Sequence, residues 1–311
     1  ALAVIVLLVG DYVKKRAEIL RKFCIPIPVI GGLLFTILVS IGYSTGLFTF
    51  KFNFALSDVF MLAFYSSIGF TASYKLLKKG GPKVIKFLIV SIIVVILQNL
   101  LGVYLAKLLG LNPLVGLATA SIPMTGGHGT SAAFAPVLEE AGLQNALTIT
   151  LAAATFGLVA GSLTGGPIGK FLIEKYKLLT GKAAEKVEGI EDIEKGNEKL
   201  DEKRIYSAVY QLLVSMALGS IISMLLKKTG LTFPASVGAM IAAAIIRNIA
   251  DYSTWLKIKE NEIRIIGDIS LILFLAFSMM SLKLWQLTDL AVPMIILLIA
   301  QTILMGLCAV F

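Results

Sequence analysis

Ser121-Ile-Pro-Met-Thr-Gly-Gly-His-Gly-Thr-Ser131 decides the reading of this chain. It gathers one proline, three glycines, four hydroxyl side chains and the only histidine, His128. On either side the sequence is hydrophobic enough to sit at membrane depth. The bilayer core has no water to satisfy exposed backbone, so a broken, Gly-rich stretch is tolerated there only inside protein or along a water-filled cavity. In secondary transporters such interrupted segments form substrate and ion sites.

Working outward, the composition fits that setting. The 311 residues are 57% hydrophobic and only 15% charged, with a mean hydropathy of +0.89. Soluble domains carry about a quarter charged residues. The apolar runs are continuous and about twenty residues long, as membrane helices require, rather than the alternating ten-residue segments of a barrel. The fold class expected is an all-α polytopic membrane protein embedded in a lipid bilayer. The net charge of +9 is read as loop charge on one side of that bilayer, so no nucleic acid partner is expected. Cys24 and Cys308 sit at or in apolar runs and read as reduced structural residues, without metal spacing.

Apolar spans lie near 1–10, 26–48, 55–75, 84–106, 146–172, 207–226, 233–250, 265–283 and 292–311. The broken segment 114–136 falls between the fourth and fifth. A Lys- and Glu-rich stretch, 174–204, reads as a cytoplasmic linker. If segment 114–136 enters and leaves on one side, Lys51, Lys107, Lys227, Lys228 and Lys283 are the only basic residues on the opposite face. A full crossing would move the linker's lysines away from Lys14, Lys15 and Arg16, against the positive-inside bias. Charge therefore favours a re-entrant hairpin.

The chain also repeats itself. Asp58-Val-Phe-Met-Leu-Ala-Phe64 is similar to Asp268-Ile-Ser-Leu-Ile-Leu-Phe274. Pro28-Val-Ile-Gly31 precedes the first and Pro234-Ala-Ser-Val-Gly238 the second; Gln98 and Gln301 follow at depth. Opposite orientation of the two copies makes this an inverted repeat, with 1–173 as the first, 174–204 as linker and 205–311 as an incomplete second. Ala1 and Phe311 each lie inside an apolar run, so a longer protein is expected, carrying a second hairpin.

No enzyme constellation stands out. One histidine excludes zinc sites built on several. No carboxylate falls in the middle of a predicted span, which argues against a proton relay. Neutral oxygens remain: Ser121, Thr125, Thr130, Ser131 and Thr155, with the amides Gln98 and Asn99. Such oxygens suit Na⁺, while a half-helix N-terminus suits a carboxylate. His128 has two open readings, a neutral donor to substrate or a tie between a hairpin arm and a neighbouring helix. Gly157, Gly161, Gly165 and Gly166 recur as in close helix packing; Gly126, Gly127 and Gly129 fit that pattern less well.

Several motifs in order resemble the bacterial sodium/glutamate symporter family. They are Ile25-Pro-Ile-Pro-Val-Ile-Gly-Gly32, Phe60-Met-Leu-Ala-Phe64 with Ile68-Gly69, and Gln98-Asn-Leu-Leu-Gly102. Gly126-Gly-His-Gly-Thr130, Ala154-Thr-Phe-Gly-Leu-Val159 with Gly165-Gly-Pro167, and Leu282-Lys-Leu-Trp285 continue the series. The resemblance implies a homodimeric inner-membrane carrier of ten spans and two hairpins, taking up L-glutamate with Na⁺ by an elevator-like motion. It implies no cofactor beyond the coupling ion. By position it assigns Thr125, Gly126, Gly127, His128, Gly129 and Thr130 to substrate; from the residues themselves Ser121 is read with them, and Gln98, Asn99, Ser131 and Thr155 as sodium candidates. A carrier of another small carboxylate or anion, and a non-transporting solute sensor using the linker as output, stay open as alternatives.

Overall fold

A computed structural model describes residues 1–22, 25–48, 50, 55–176, 202–228, 233–253, 256–283 and 290–310. Cys24 and nearly all of the predicted linker lie outside the described residues. Every described regular element is a helix. In chain order these are α1 (Leu2–Arg16), α2 (Glu18–Lys22), α3 (Ile27–Ser44), α4 (Ala55–Gly69) and α5 (Tyr74–Leu108). Then come α6 (Pro113–Ala118), α7 (Ser121–Met124), α8 (Gly127–Glu140) and α9 (Ala146–Lys175). The last are α10 (Glu202–Lys228), α11 (Ala235–Asp251), α12 (Glu260–Met280) and α13 (Ala291–Val310). Among the described residues, six helices are long and apolar enough to cross a membrane: α3, α5, α9, α10, α12 and α13. The protein is a polytopic helical membrane protein.

The end of the third span and the start of α5 differ from the hydropathy reading for identifiable reasons. The third span ends at Gly69, and α5 begins at Tyr74 rather than near 84. Ser73 caps α5 by accepting from the Leu76 N–H at 3.3 Å. A kink then separates a short Lys-rich turn from the apolar remainder. Gly81 there has φ 61° and ψ −155°, a region that essentially only glycine adopts, and Pro82 follows it without an N–H to donate.

The helices pack as two groups. One joins α1 to α3, α10 to α11, and α12 to α3 and α4, with α11 also against α4. The other joins α5 to α6, α8 to α9, and α13 to α5 and α9. Contacts of α12 with α8 and of α11 with α5 connect them. Glycines set the closest crossings in the first group. A Cβ at Gly31 would strike the Val6 carbonyl oxygen of α1, and one at Gly238 would strike the Gly219 carbonyl oxygen of α10. The two Pro-to-Gly motifs therefore make the same kind of crossing, as backbones that approach this closely require small residues. Thr36 donates to the Met279 carbonyl at 2.7 Å, tying α3 to the end of α12.

Basic residues that hydropathy assigns to loops are instead paired inside this group. Arg247 is buried on α11, bound to Asp251 at 3.1 Å and to Glu260 of α12. Asp251 also accepts from Ser73, while Asn248 accepts from the Tyr74 N–H at 2.7 Å. The start of α5 is thereby fixed to α11. Asp268 lies well inside α12, because that helix starts at Glu260 rather than at 265; it lines a cavity of about 240 Å³ with Arg247 and Arg264. Glu262 is buried and pairs with Arg204 of α10 at 2.7 Å. Removing one partner strands a buried charge, whereas replacing both by apolar groups does not. Arg204→Met should thus destabilise the protein by about 3–5 kcal/mol, and Arg204→Met/Glu262→Leu by clearly less than either single change. Thermal unfolding in detergent would show this; additive losses would contradict it.

Candidate functional site

The broken segment folds as two arms. Asn112 caps the first by accepting from the Leu114 N–H at 3.0 Å, with Pro113 at the first helical position. That arm, α6 and α7, is interrupted at Thr119–Ala120 and ends at Met124. The second arm, α8, packs back against α6 and α7 and lies along α9. It continues to Glu140, past the residue 136 where hydropathy ends it. At 1.5 Å per residue the arms reach roughly 18 and 21 Å, short of the roughly 30 Å bilayer core.

Between the arms, Thr125 and Gly126 are exposed. Gly127 has φ +70° with open space where a Cβ would stand. Its glycine is required by backbone conformation, not by packing. α8 starts here with no side-chain cap, so its first N–H groups have no helical partner and present partial positive charge.

Each arm is held by a different set of the predicted residues. Asn99 and Gln98 on α5 hold the first. Asn99 Oδ1 accepts from Ser121 Oγ at 2.7 Å, and Gln98 Oε1 accepts from Thr125 Oγ1 at 2.7 Å. Thr155 and Ser131 belong to the second. Thr155 Oγ1 donates to the Leu151 carbonyl at 2.9 Å and lies 3.0 Å from His128 Nε2. With its proton so used, Thr155 accepts, and His128 is the donor through Nε2. Ser131 Oγ lies within hydrogen-bonding distance of the Gly127 and Thr150 carbonyls, at 2.8 and 3.2 Å, and is fully buried. Thr130 donates to the Gly126 carbonyl at 2.9 Å.

Two residues outside the predicted set belong to this neighbourhood. The hydroxyl of Tyr65, on α4, lies 3.6 Å from where a Gly129 Cβ would stand. Gln301, on α13, donates its amide to the Gln98 carbonyl at 2.8 Å. A polar-tipped aromatic beside the repeated Asp58–Phe64 motif was the available signal for Tyr65; recurrence of a Gln at the same place in both repeats was the signal for Gln301. Of the four α9 glycines named above, Gly157 packs closely, its Cβ position lying 3.1 Å from Met124 Sδ, but the other three differ from the close-packing expectation. Among the described residues nothing stands within 4 Å of a Cβ at Gly161, Gly165 or Gly166. Gly161 and Gly165, with Gly157, line a cavity of about 360 Å³ together with Met124, Thr302 and Gly306. Among the described residues no group of three or more His, Cys, Asp or Glu is placed to hold a metal.

The family model described as sodium/glutamate symporter matches residues 1–311. The chain belongs to the sodium/glutamate symporter family. A sodium/glutamate symporter of Escherichia coli K12 is 35% identical over 316 residues, which cover 99% of this chain and 78% of that protein. One of Haemophilus influenzae is 35% identical over 318 residues, covering 100% and 78%. No solved structure matches the chain. As a member of the sodium/glutamate symporter family this protein is a transporter and not an enzyme. The neutral hydroxyls, amides and helix N-terminus at the hairpin are groups that bind and release without making bonds.

Proposed function

We propose that the protein takes up L-glutamate together with Na⁺ across the bacterial inner membrane by alternating access, and that the hairpin carries the substrate. The observation that carries this reading is the tip itself. An uncapped helix N-terminus, exposed Thr125 and a glycine turn at Gly127 stand together in an otherwise apolar protein. Helix N-termini and hydroxyl donors suit a carboxylate group, and a tip without side-chain bulk lets the ligand approach backbone N–H groups. Ser121, His128 and Gly129 then shape the site from behind, His128 as the tether of α8 to Thr155. Amide and hydroxyl oxygens of Gln98, Asn99, Ser131 and Thr155 are the sodium candidates. Gln98 and Asn99 are the better placed of these, since they touch the arm that ends at the tip.

The reading of 113–140 as re-entrant is supported by the shortness of both arms. An elevator-like carrier is supported by the two packing groups. In it, the group containing the hairpin moves against the group containing α3, α4, α11 and α12, bending at Gly81. An inverted repeat at 1–173 and 205–311, joined by a cytoplasmic linker, is supported by the matching crossings at Gly31 and Gly238. A homodimer follows from family resemblance alone.

The tip reading is tested by a single cysteine at Thr125, with Cys24 and Cys308 replaced by serine. L-glutamate with Na⁺ should slow maleimide labelling of the reconstituted Thr125→Cys protein by about tenfold, as for a site mostly occupied at saturation. Choline with glutamate should leave the rate unchanged. Labelling indifferent to both ligands would remove the tip from the substrate site.

A further inference from the structure

Gln98 and Gln301 are each 0% exposed, on two helices of the hairpin-containing group. Gln301 Nε2 donates to the Gln98 main-chain carbonyl at 2.8 Å. That bond fixes its orientation: turning the carboxamide over would set oxygen against oxygen. Its Oε1 is buried and has no hydrogen-bond partner among the described residues. The Gln98 carboxamide is bound at one end only, to Thr125 Oγ1 at 2.7 Å, and its other end is likewise buried without a partner among the described residues. A hydroxyl can both donate and accept. Gln98 can therefore take either orientation against Thr125, whereas Gln301 cannot turn.

We propose that the carboxamide oxygens of Gln98 and Gln301 bind Na⁺ between α5 and α13, and that this binding switches Thr125 from spent donor to available donor. The inference rests on the sodium-coupled reading above. While Gln98 Oε1 faces Thr125, the Thr125 hydroxyl donates to it and offers only lone pairs to an arriving carboxylate. With the ion, Gln98 turns its oxygen toward Na⁺. Its Nε2–H then donates to Thr125 Oγ1, and the Thr125 proton is freed for the substrate. Neutral amide oxygens suit a hard monovalent cation that must be released again. Coupling between ion and anion then needs no carboxylate, and it works in both directions: bound substrate holds Thr125 outward and favours the ion-bound orientation of Gln98.

Labelled L-glutamate uptake into proteoliposomes, titrated with Na⁺, tests this on wild type, Gln98→Met, Gln301→Met and Thr125→Val. Both glutamine variants should raise the Na⁺ concentration for half-maximal uptake by about tenfold or more, one ligand's worth of affinity. Thr125→Val should raise the glutamate KM at saturating Na⁺ and leave binding of ²²Na⁺ without glutamate within about twofold of wild type. If Gln301→Met does not fold, Gln98→Met decides, because the main-chain carbonyl that Gln301 grips is still there. Half-saturation by Na⁺ within about twofold of wild type in the folded glutamine variants would overturn the proposal and leave the amides holding water. An unchanged glutamate KM in Thr125→Val would overturn the relay. Wild-type uptake indifferent to Na⁺ would instead sink the sodium-coupled reading itself.

Discussion

Gly127→Val should abolish uptake, by about a hundredfold or more, while folded protein reaches the membrane in near-normal amount. The backbone there has φ +70°, and nothing lies within 4 Å of the position a Cβ would take. Valine would therefore meet no neighbour. It would instead be forced into a conformation that a β-branched residue adopts only as an outlier. Strain of that kind costs about 1–3 kcal/mol. The tip relieves it by turning to negative φ, which re-aims the start of α8 and separates its N–H groups from Thr125. Each 1.4 kcal/mol lost at the site is tenfold in affinity, and displaced donors add to the strain. Size-exclusion profiles in detergent together with uptake check both halves. Loss of folded protein would show that Gly127 is a packing residue after all.

Gly31→Val should fail in the opposite way, losing most of the folded protein. A Cβ there would strike the Val6 carbonyl oxygen, which is backbone and cannot swing aside. α1 and α3 would have to separate, and the buried contacts of Ala3, Val6, Val29 and Ile30 would go with them. Overpacking costs about 1–3 kcal/mol where side chains can adjust, and more where they cannot. The matching position Gly238, whose Cβ would meet Gly219 of α10, should behave alike. The pair of glycine experiments thus separates two uses of one residue type: at Gly127 the backbone angle matters, at Gly31 the space. A Gly31→Val protein with normal yield and normal thermal midpoint would contradict the crossing.

Much of the architecture was legible because membrane burial is written along the chain. Continuous apolar runs gave the helices, and the Pro-Gly-His cluster at 121–131 gave the interruption. The rest depends on long-range pairing that hydropathy does not report. Arg247 counted as a loop charge because a window average sees its sign, not Asp251 and Glu260 around it. Gln98 and Asn99 were visible as amides at depth, but that they grip Thr125 and Ser121 follows from how α5 lies against α7. Glycines four apart on α9 carry the same pattern whether they receive a helix or line a cavity. Tyr65 carries only a weak signal, its place beside the repeated Asp58–Phe64 motif, because within an apolar run a tyrosine facing a hairpin and one facing a core look the same.

The most direct test is labelled L-glutamate uptake by the reconstituted protein under an inward Na⁺ gradient, repeated with choline in place of Na⁺. The account predicts accumulation with Na⁺ and none with choline. Folded protein that accumulates no glutamate in either condition, or equal amounts in both, would contradict it.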